Sequence, residues 1–351
     1  MTNALLPSEE HSGVPYQVHR LANAFVERNH EVTVFSFSPR PHDAFYNVRQ
    51  LPRIGRFRKL DPFFFAYRLG ELDFSDFDML HVHGDSFLLW KSHPHIRTFY
   101  GSAADEARAA KTLRRRAFFL IINILEHIGA RFSDHNVGIS EVTRLRFSSD
   151  MSVIPCGVDT ASFSPGLKTP YPTILFVGTN GGRKRGSWLA ELFSREVLPI
   201  VPNARLLMVS DADVNLPGVK FLGRVSDERL TELYRSSWLF CSPSTYEGFG
   251  VPYIEAMASG TAVIASPNPG ACEVLANGQF GALADDRDLG ATLVTLLSDG
   301  VRRKQWEHAG SLRSKTFRWD TIAARYEHLF NEVRSGGRSF PDSRAYDPGF
   351  I

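Results

Sequence analysis

The stretch from Cys241 to Gly260 holds two carboxylates, Glu247 and Glu255, on either side of the glycine pair Gly248 and Gly250. Glycines let a backbone approach a ligand closely, and Pro252 just beyond them suits the first turn of a helix. The apolar run Trp238 to Cys241 reads as the preceding strand, so the segment runs strand, loop, helix. A helix N-terminus at the carboxyl end of a parallel strand offers unpaired N–H donors and a favourable dipole to a phosphate. Two carboxylates would repel a bare phosphate, so they should meet hydroxyls instead. A diphosphate flanked by polyols, the layout of a nucleotide sugar, satisfies both demands. In the competing reading Glu247 is an ordinary loop acid and Glu255 a favourable charge early in a helix.

A second loop, Gly178 to Gly186, also follows a strand and opens a helix, and it carries three consecutive cations, Arg183, Lys184 and Arg185. Preorganised cations could neutralise a leaving diphosphate without a metal. All three remain candidates. His81 and His83 flank Val82 and share one strand face, but no third ligand stands at motif spacing, so no metal site is expected. Cys156, Cys241 and Cys272 are too far apart for a zinc site and odd in number, which suits buried thiols in a reducing compartment. No strand leads into a complete GxGxxG, which argues against a dinucleotide oxidoreductase.

These loops need a scaffold of strands. With 351 residues the chain has room for about two domains. Hydrophobic residues make up 43% and charged residues 22%, as in folded globular proteins. The 40 basic and 38 acidic residues nearly cancel to +2, which excludes a polyanion-binding field and a nucleic-acid partner. Short apolar runs alternate with helical patterns, the mark of α/β units with parallel sheets. In the first half helices are expected at about Tyr16–Arg28 and Asp105–Phe132. Strands are expected at Glu31–Phe37, Met79–Val82, Ile96–Phe99, Asn136–Ile139 and Ser152–Ile154. The proline-rich segment Ser162–Pro172 reads as the linker. Strands then follow at Thr173–Val177, Arg205–Val209, Val219–Leu222, Trp238–Cys241 and Ala262–Ala265, with a helix at Asp227–Arg235. The resulting domains are 1–165 and 166–318, followed by a helix over 319–335 that packs back onto the body and a mobile tail, 336–351. No apolar strand precedes the first loop, so the first strand is expected to be missing or clipped, as a mis-assigned start would produce.

The glutamate segment resembles the Glu-x7-Glu signature of the retaining GT-B glycosyltransferases, specifically glycosyltransferase family 4. Val153-Ile154-Pro155-Cys156-Gly157-Val158-Asp159 is similar to that family's V-I-P-N-G-V-D turn. Leu21-Ala22-Asn23 through Glu31-Val32 and Ser12-Gly13-Val14 resemble its early helix and first glycine loop. The resemblance covers about residues 11 to 334. It implies two Rossmann-like doubly wound domains facing a central cleft, and transfer of a sugar with retention, without metal or cofactor. By that resemblance Glu255 holds the donor ribose and Glu247, a catalytic residue, holds the transferred sugar. Gly178, Gly248, Phe249, Gly250 and Val251 complete the donor site, Phe249 and Gly250 through backbone donors. Ser266–Gly270 with Glu273 resembles the loop that closes over the donor, with a simple turn as the alternative.

Two positions depart from the family. Thr179 stands where its G-R-x-x-x-x-K-G motif has arginine, and the lysine maps onto Lys184 without a gap or onto Arg185 by the following glycine. Tyr100 replaces a histidine near the transferred sugar and cannot carry imidazolium charge. Gly13, His83, Tyr100 and Ser102 form the expected acceptor side, with helix capping as the alternative role of Ser102.

The acceptor is expected to be a polysaccharide, glycolipid or small molecule. Arg49, Arg53, Arg56, Arg58 and Lys59 precede Phe63–Phe65, and Arg114–Arg116 precede the apolar run Ala117–Leu125, an arrangement that suits an anionic membrane surface. The alternative places these apolar residues in the core. The longest apolar run is about half of the roughly 20 residues that span a bilayer, and the N-terminus lacks a secretory pattern, so a cytoplasmic protein is expected, peripheral at most. Rival functions are a nonenzymatic nucleotide-sugar-binding module, a phosphorylase and a sugar-nucleotide epimerase on the same fold.

Overall fold

A computed structural model describes residues 1–9, 13–54, 60–84, 89, 93–110, 112–147 and 150–335. Ser12, Arg56, Arg58, Lys59 and the tail from 336 lie outside the described residues. The chain forms two compact units, Met1–Gly157 with Trp319–Ile351, and Val158–Arg318. No helix among the described residues is long and apolar enough to cross a membrane.

The first unit runs α1 (Gly13–Glu27), β1 (Thr33–Ser36), β2 (Asn47–Gln50), α2 (Asp61–Gly70), β3 (Leu80–His83), β4 (His95–Phe99), α3 (Ala103–Ala109), α4 (Leu113–Arg131), β5 (His135–Gly138), α5 (Glu141–Phe147) and β6 (Ser152–Val153). β1 pairs with β2 and β3 through β6 pair in sequence order, all parallel. Met1–Ala4 lies between β1 and β3, where Thr2 bridges both Phe35 and Val82, so the place expected to lack its strand holds a short bridging segment. Thr2 N donates to His81 O at 3.0 Å, and Thr2 O accepts from His83 N at 3.1 Å. On the other side Asn3 N donates to Phe35 O (3.2 Å) and Phe35 N to Met1 O (2.9 Å). The segment is too short for side-chain alternation to announce it; backbone pairing alone holds it there.

The single long helix expected at Asp105–Phe132 is two helices. Thr112 takes extended geometry and its hydroxyl accepts from Arg115 N, a new N-cap that restarts the helix as α4. The apolar stretch itself does not reveal this break.

The second unit runs β7 (Thr173–Val177), α6 (Gly186–Leu192), β8 (Arg205–Val209), β9 (Val219–Phe221), α7 (Asp227–Ser236), β10 (Leu239–Ser242), α8 (Val251–Ala258), β11 (Ala262–Ala265), α9 (Pro269–Val274), β12 (Ala282–Leu283), α10 (Leu289–Ser298) and α11 (Gly300–Ser314). Its parallel sheet has the order β12-β11-β10-β7-β8-β9. Buried Ile174, Phe176, Leu206, Met208, Leu239, Cys241 and Ile264 meet Leu189, Phe193, Leu289 and Leu293 from the helices. The near-continuous apolar strands reflect burial on both faces.

The proline-rich segment lies inside this second unit, so the change of unit falls at Gly157/Val158 and not at residue 165. Lys168 Nζ donates to Ser237 O (2.8 Å) and Thr261 Oγ1 (2.7 Å), and Arg235 donates to Ser164 O (3.0 Å). Prolines remove backbone donors, but these side chains tie the segment down. The last helix, α12 (Trp319–Arg334), returns to the first unit, where Ile322, Ala323, Tyr326 and Leu329 pack with Leu21, Phe25, Val34 and Ile96. Gln17 and Gly157 exchange two hydrogen bonds at 3.0 and 3.1 Å, and a Cβ on Gly157 would lie 2.5 Å from the Trp319 ring.

Candidate active site

In the second sheet β7 has β8 on one side and β10 on the other, so the winding direction reverses between β7 and β10. At such a switch point the loops leaving the two strands part and leave a crevice beyond their carboxyl ends. Those two loops are Gly178–Arg185 and Pro243–Gly250, which carry the sequence candidates.

They are locked together. Thr245 N donates to Arg183 O at 2.9 Å, and Ser244 Oγ, buried, donates to Arg183 O and Tyr246 O at 3.2 Å each. Arg183 Nη1 lies 2.7 Å from both Tyr246 O and Glu247 Oε2, and Lys184 Nζ lies 2.6 Å from Glu247 Oε1. Burial works to raise the Glu247 carboxyl, but Lys184 and Arg183 outweigh it and hold it below its ordinary value. Glu247 is therefore an ionised, buried carboxylate bridging two cations. Gly178 makes room for this arrangement, since a Cβ there would press on the Lys184 stem at 3.2 Å.

Arg185 goes elsewhere. It takes left-handed geometry (φ 59°), stacks on the Trp188 ring and forms a bidentate pair with Asp286 at 2.7 and 2.8 Å. Of three adjacent cations, two converge on Glu247 and one diverges. Thr179 hydrogen-bonds within its own loop, to Gly181 O.

Gly250, at φ 102°, caps α8, and a Cβ there would strike the Tyr253 ring at 2.3 Å, so only glycine lets Tyr253 lie beneath the loop. Phe249 is buried and meets Phe317 edge-on, while Gly248 links it to Glu247 and Val251 begins α8. Glu255 lies about one turn into α8. Burial, only partly offset by the neighbouring Tyr234 hydroxyl, pushes its carboxyl up to about 7. The folded protein thus keeps a proton that the unfolded chain releases near pH 4.5. Stability should accordingly fall as pH rises through that window, by about 3 kcal/mol. Glu255→Gln should flatten the slope in urea titrations from pH 4 to 8; an unchanged slope would contradict the assignment.

The 266–270 segment does more than turn the chain. It latches the glutamate loop: Asn268 Nδ2 donates to Ser244 O (3.0 Å) and Tyr253 Oη (3.2 Å), while Gly270 N donates to Glu247 O (3.0 Å). Sequence reasoning missed Ser244, Tyr253, Tyr234 and Asp286. An Asn-Pro pair at a strand end signals a cap, but nothing local says which loop the Asn amide reaches.

The acceptor-side candidates all lie in the first unit. His83, at the carboxyl end of β3, pairs through Nδ1 with the Tyr100 hydroxyl at 3.1 Å and stacks on His81, with ring centres 3.9 Å apart. Burial holds both imidazoles well below their ordinary range, so they are neutral at pH 7. His81 continues the network to Thr98 Oγ1 (2.8 Å), which meets Tyr326 Oη (3.0 Å). Ser102 caps α3 by accepting from Ala104 N, and Gly13 opens α1. The described residues include no cluster of three or more His, Cys, Asp or Glu side chains suited to a metal.

Comparison with known proteins agrees with this architecture. Residues 11–162 match the family model of Glycosyltransferase Family 4, and residues 158–313 that of Glycosyl transferases group 1. The phosphatidyl-myo-inositol mannosyltransferase of Mycobacterium tuberculosis is 29% identical over 296 residues, 75% of each chain. Sucrose-phosphate synthase from Thermosynechococcus elongatus has the same fold, with a TM-score of 0.75 at 21% identity over 93% of this chain and 94% of its own. Anabaena HepE, solved with UDP-glucose, gives 0.73 at 15% identity over 94% and 98%. Fold and family models together define a GT-B glycosyltransferase. The chain belongs to glycosyltransferase family 4.

Proposed function

We propose that this enzyme moves a hexose from a nucleoside-diphosphate sugar to an acceptor hydroxyl with retention of anomeric configuration and without a metal. The observation that carries the reading is the buried Glu247 held between Arg183 and Lys184 at the sheet's switch point. A diphosphate bound beside α8 brings more negative charge than one carboxylate and competes for the two cations. Glu247 is then released to accept hydroxyl hydrogens of the transferred sugar, while Glu255 accepts those of the ribose. As the glycosidic bond breaks, charge builds on the diphosphate, and cations already in place stabilise it without reorganisation. The leaving diphosphate takes part in removing the acceptor proton.

The relatives named as mannosyltransferases support mannose as the first sugar to test, and the phosphatidyl-myo-inositol acceptor in one of those names supports a lipid-linked polyol. The test is thermal unfolding with the uridine, guanosine, adenosine and thymidine diphosphates and their sugar conjugates. A ligand at 100 times its Kd adds about 2.7 kcal/mol. One base should raise the midpoint in the wild type and fail to do so in Glu255→Ala. Product NMR then reads the anomer, and turnover in excess chelator reads metal independence. No shift with any nucleotide would favour the nonenzymatic module.

A further inference from the structure

We infer that the outer face of α4 is a docking surface for an anionic lipid bilayer. The helix is apolar on two sides. One side packs inward, where Ile122, Phe119 and Leu125 meet Ala66 and Phe63 of α2 and Ala103 of α3. The other faces out. Leu113, Ala117, Leu120, Ile121, Ile124 and Ile128 follow the spacing i, i+4, i+7, i+8, i+11, i+15, a single stripe on a 3.6-residue helix. Its five large members are between 39% and 85% exposed. A contiguous apolar stripe on a soluble face marks an interaction site, whereas scattered single residues do not.

Charge selects the occupant. Arg114 and Arg116 flank the stripe at its start and Arg131 lies at its end, all exposed. The only acid on α4, Glu126, is turned toward α3, where it accepts from Ala103 N at 3.1 Å. The surface offered is therefore apolar with a cationic rim. A second copy fits poorly, because two such faces would oppose arginine to arginine. The stripe is also only about 22 Å long and about 10 Å wide. The resulting contact falls well short of the about 800 Å² per partner of a stable dimer. A bilayer surface needs no such area from one helix, since the apolar side chains enter the acyl boundary while the arginines meet lipid phosphates.

The inference does not depend on glycosyl transfer and is tested apart from it. The full chain is floated with vesicles of equimolar phosphatidylcholine and phosphatidylglycerol, and with phosphatidylcholine alone, at low and physiological salt. Recovery is expected with the anionic vesicles, weakening at higher salt. Arg114→Gln and Arg116→Gln should each weaken it about fivefold, and Ile121→Ser with Ile124→Ser should abolish it. Both isoleucines are exposed, so that variant should keep the wild-type unfolding midpoint and any nucleotide-induced shift. No recovery with anionic vesicles, equal recovery with phosphatidylcholine alone, or undiminished recovery of the serine variant would overturn the inference. So would a wild-type dimer in sedimentation that the serine variant abolishes. Vesicle binding that is lost in the serine variant supports it whatever the nucleotide panel shows.

Discussion

Replacing Lys184 with alanine should lower turnover by about two to three orders of magnitude, the usual cost of removing one preorganised group that stabilises transition-state charge. The loss should fall on kcat more than on the donor KM, because charge on the leaving diphosphate is greatest in the transition state. Arg185→Ala is the matched comparison. Its partner is Asp286, itself largely exposed, and such a pair contributes about 0–1 kcal/mol, so turnover should stay within about fivefold. Steady-state kinetics on both variants decides the matter. A large loss in Arg185→Ala with a small one in Lys184→Ala would reverse the assignment of the cations and would mean that Arg185 leaves Asp286 when donor binds.

The second large effect is expected at Gly270, a position without any functional side chain. A Cβ there would lie 2.4 Å from Phe249 O and 2.8 Å from Glu247 O. Both atoms belong to the backbone, so no rotamer change relieves the clash and the glutamate loop itself has to move. Gly270→Ala should therefore destabilise the protein by about 1–3 kcal/mol and abolish nucleotide-induced stabilisation. Gly181→Ala is the control, because nothing lies within 4 Å of its added Cβ. Urea unfolding with and without the selected nucleotide measures both effects. A Gly270→Ala protein that still shows the full nucleotide shift would remove the 266–270 latch from the donor site.

Most strands of the second unit were legible because their code is local. Thr173–Val177, Arg205–Val209 and Ala262–Ala265 are apolar runs bounded by polar turns, and burial on both faces demands that composition. β2, with the sequence Asn-Val-Arg-Gln, and the two-residue β12 carry no such pattern and were not anticipated. Met1–Ala4 escapes a local reading for a related reason, since its backbone partners Phe35 and His81 lie 32 and 79 positions away in the chain. In α4 the hydrophobic run was visible but its two faces were not. Core and exposed stripe have the same composition, and only the packing of α2 and α3 against one side tells them apart.

The same division holds at the site. The family, the α/β class and the pair of glutamates around a glycine turn are all legible in the sequence, because a left-handed turn packed directly over the Tyr253 ring permits few residue types. Tertiary structure alone decided that Arg183 and Lys184 share Glu247 while Arg185 turns to Asp286, and that Asn268 and Gly270 hold the loop in place. Three consecutive cations are equivalent in a sequence. They become different only when the left-handed turn at Arg185 and the neighbouring strand of the sheet fix where each side chain points, and which carboxylate lies within reach.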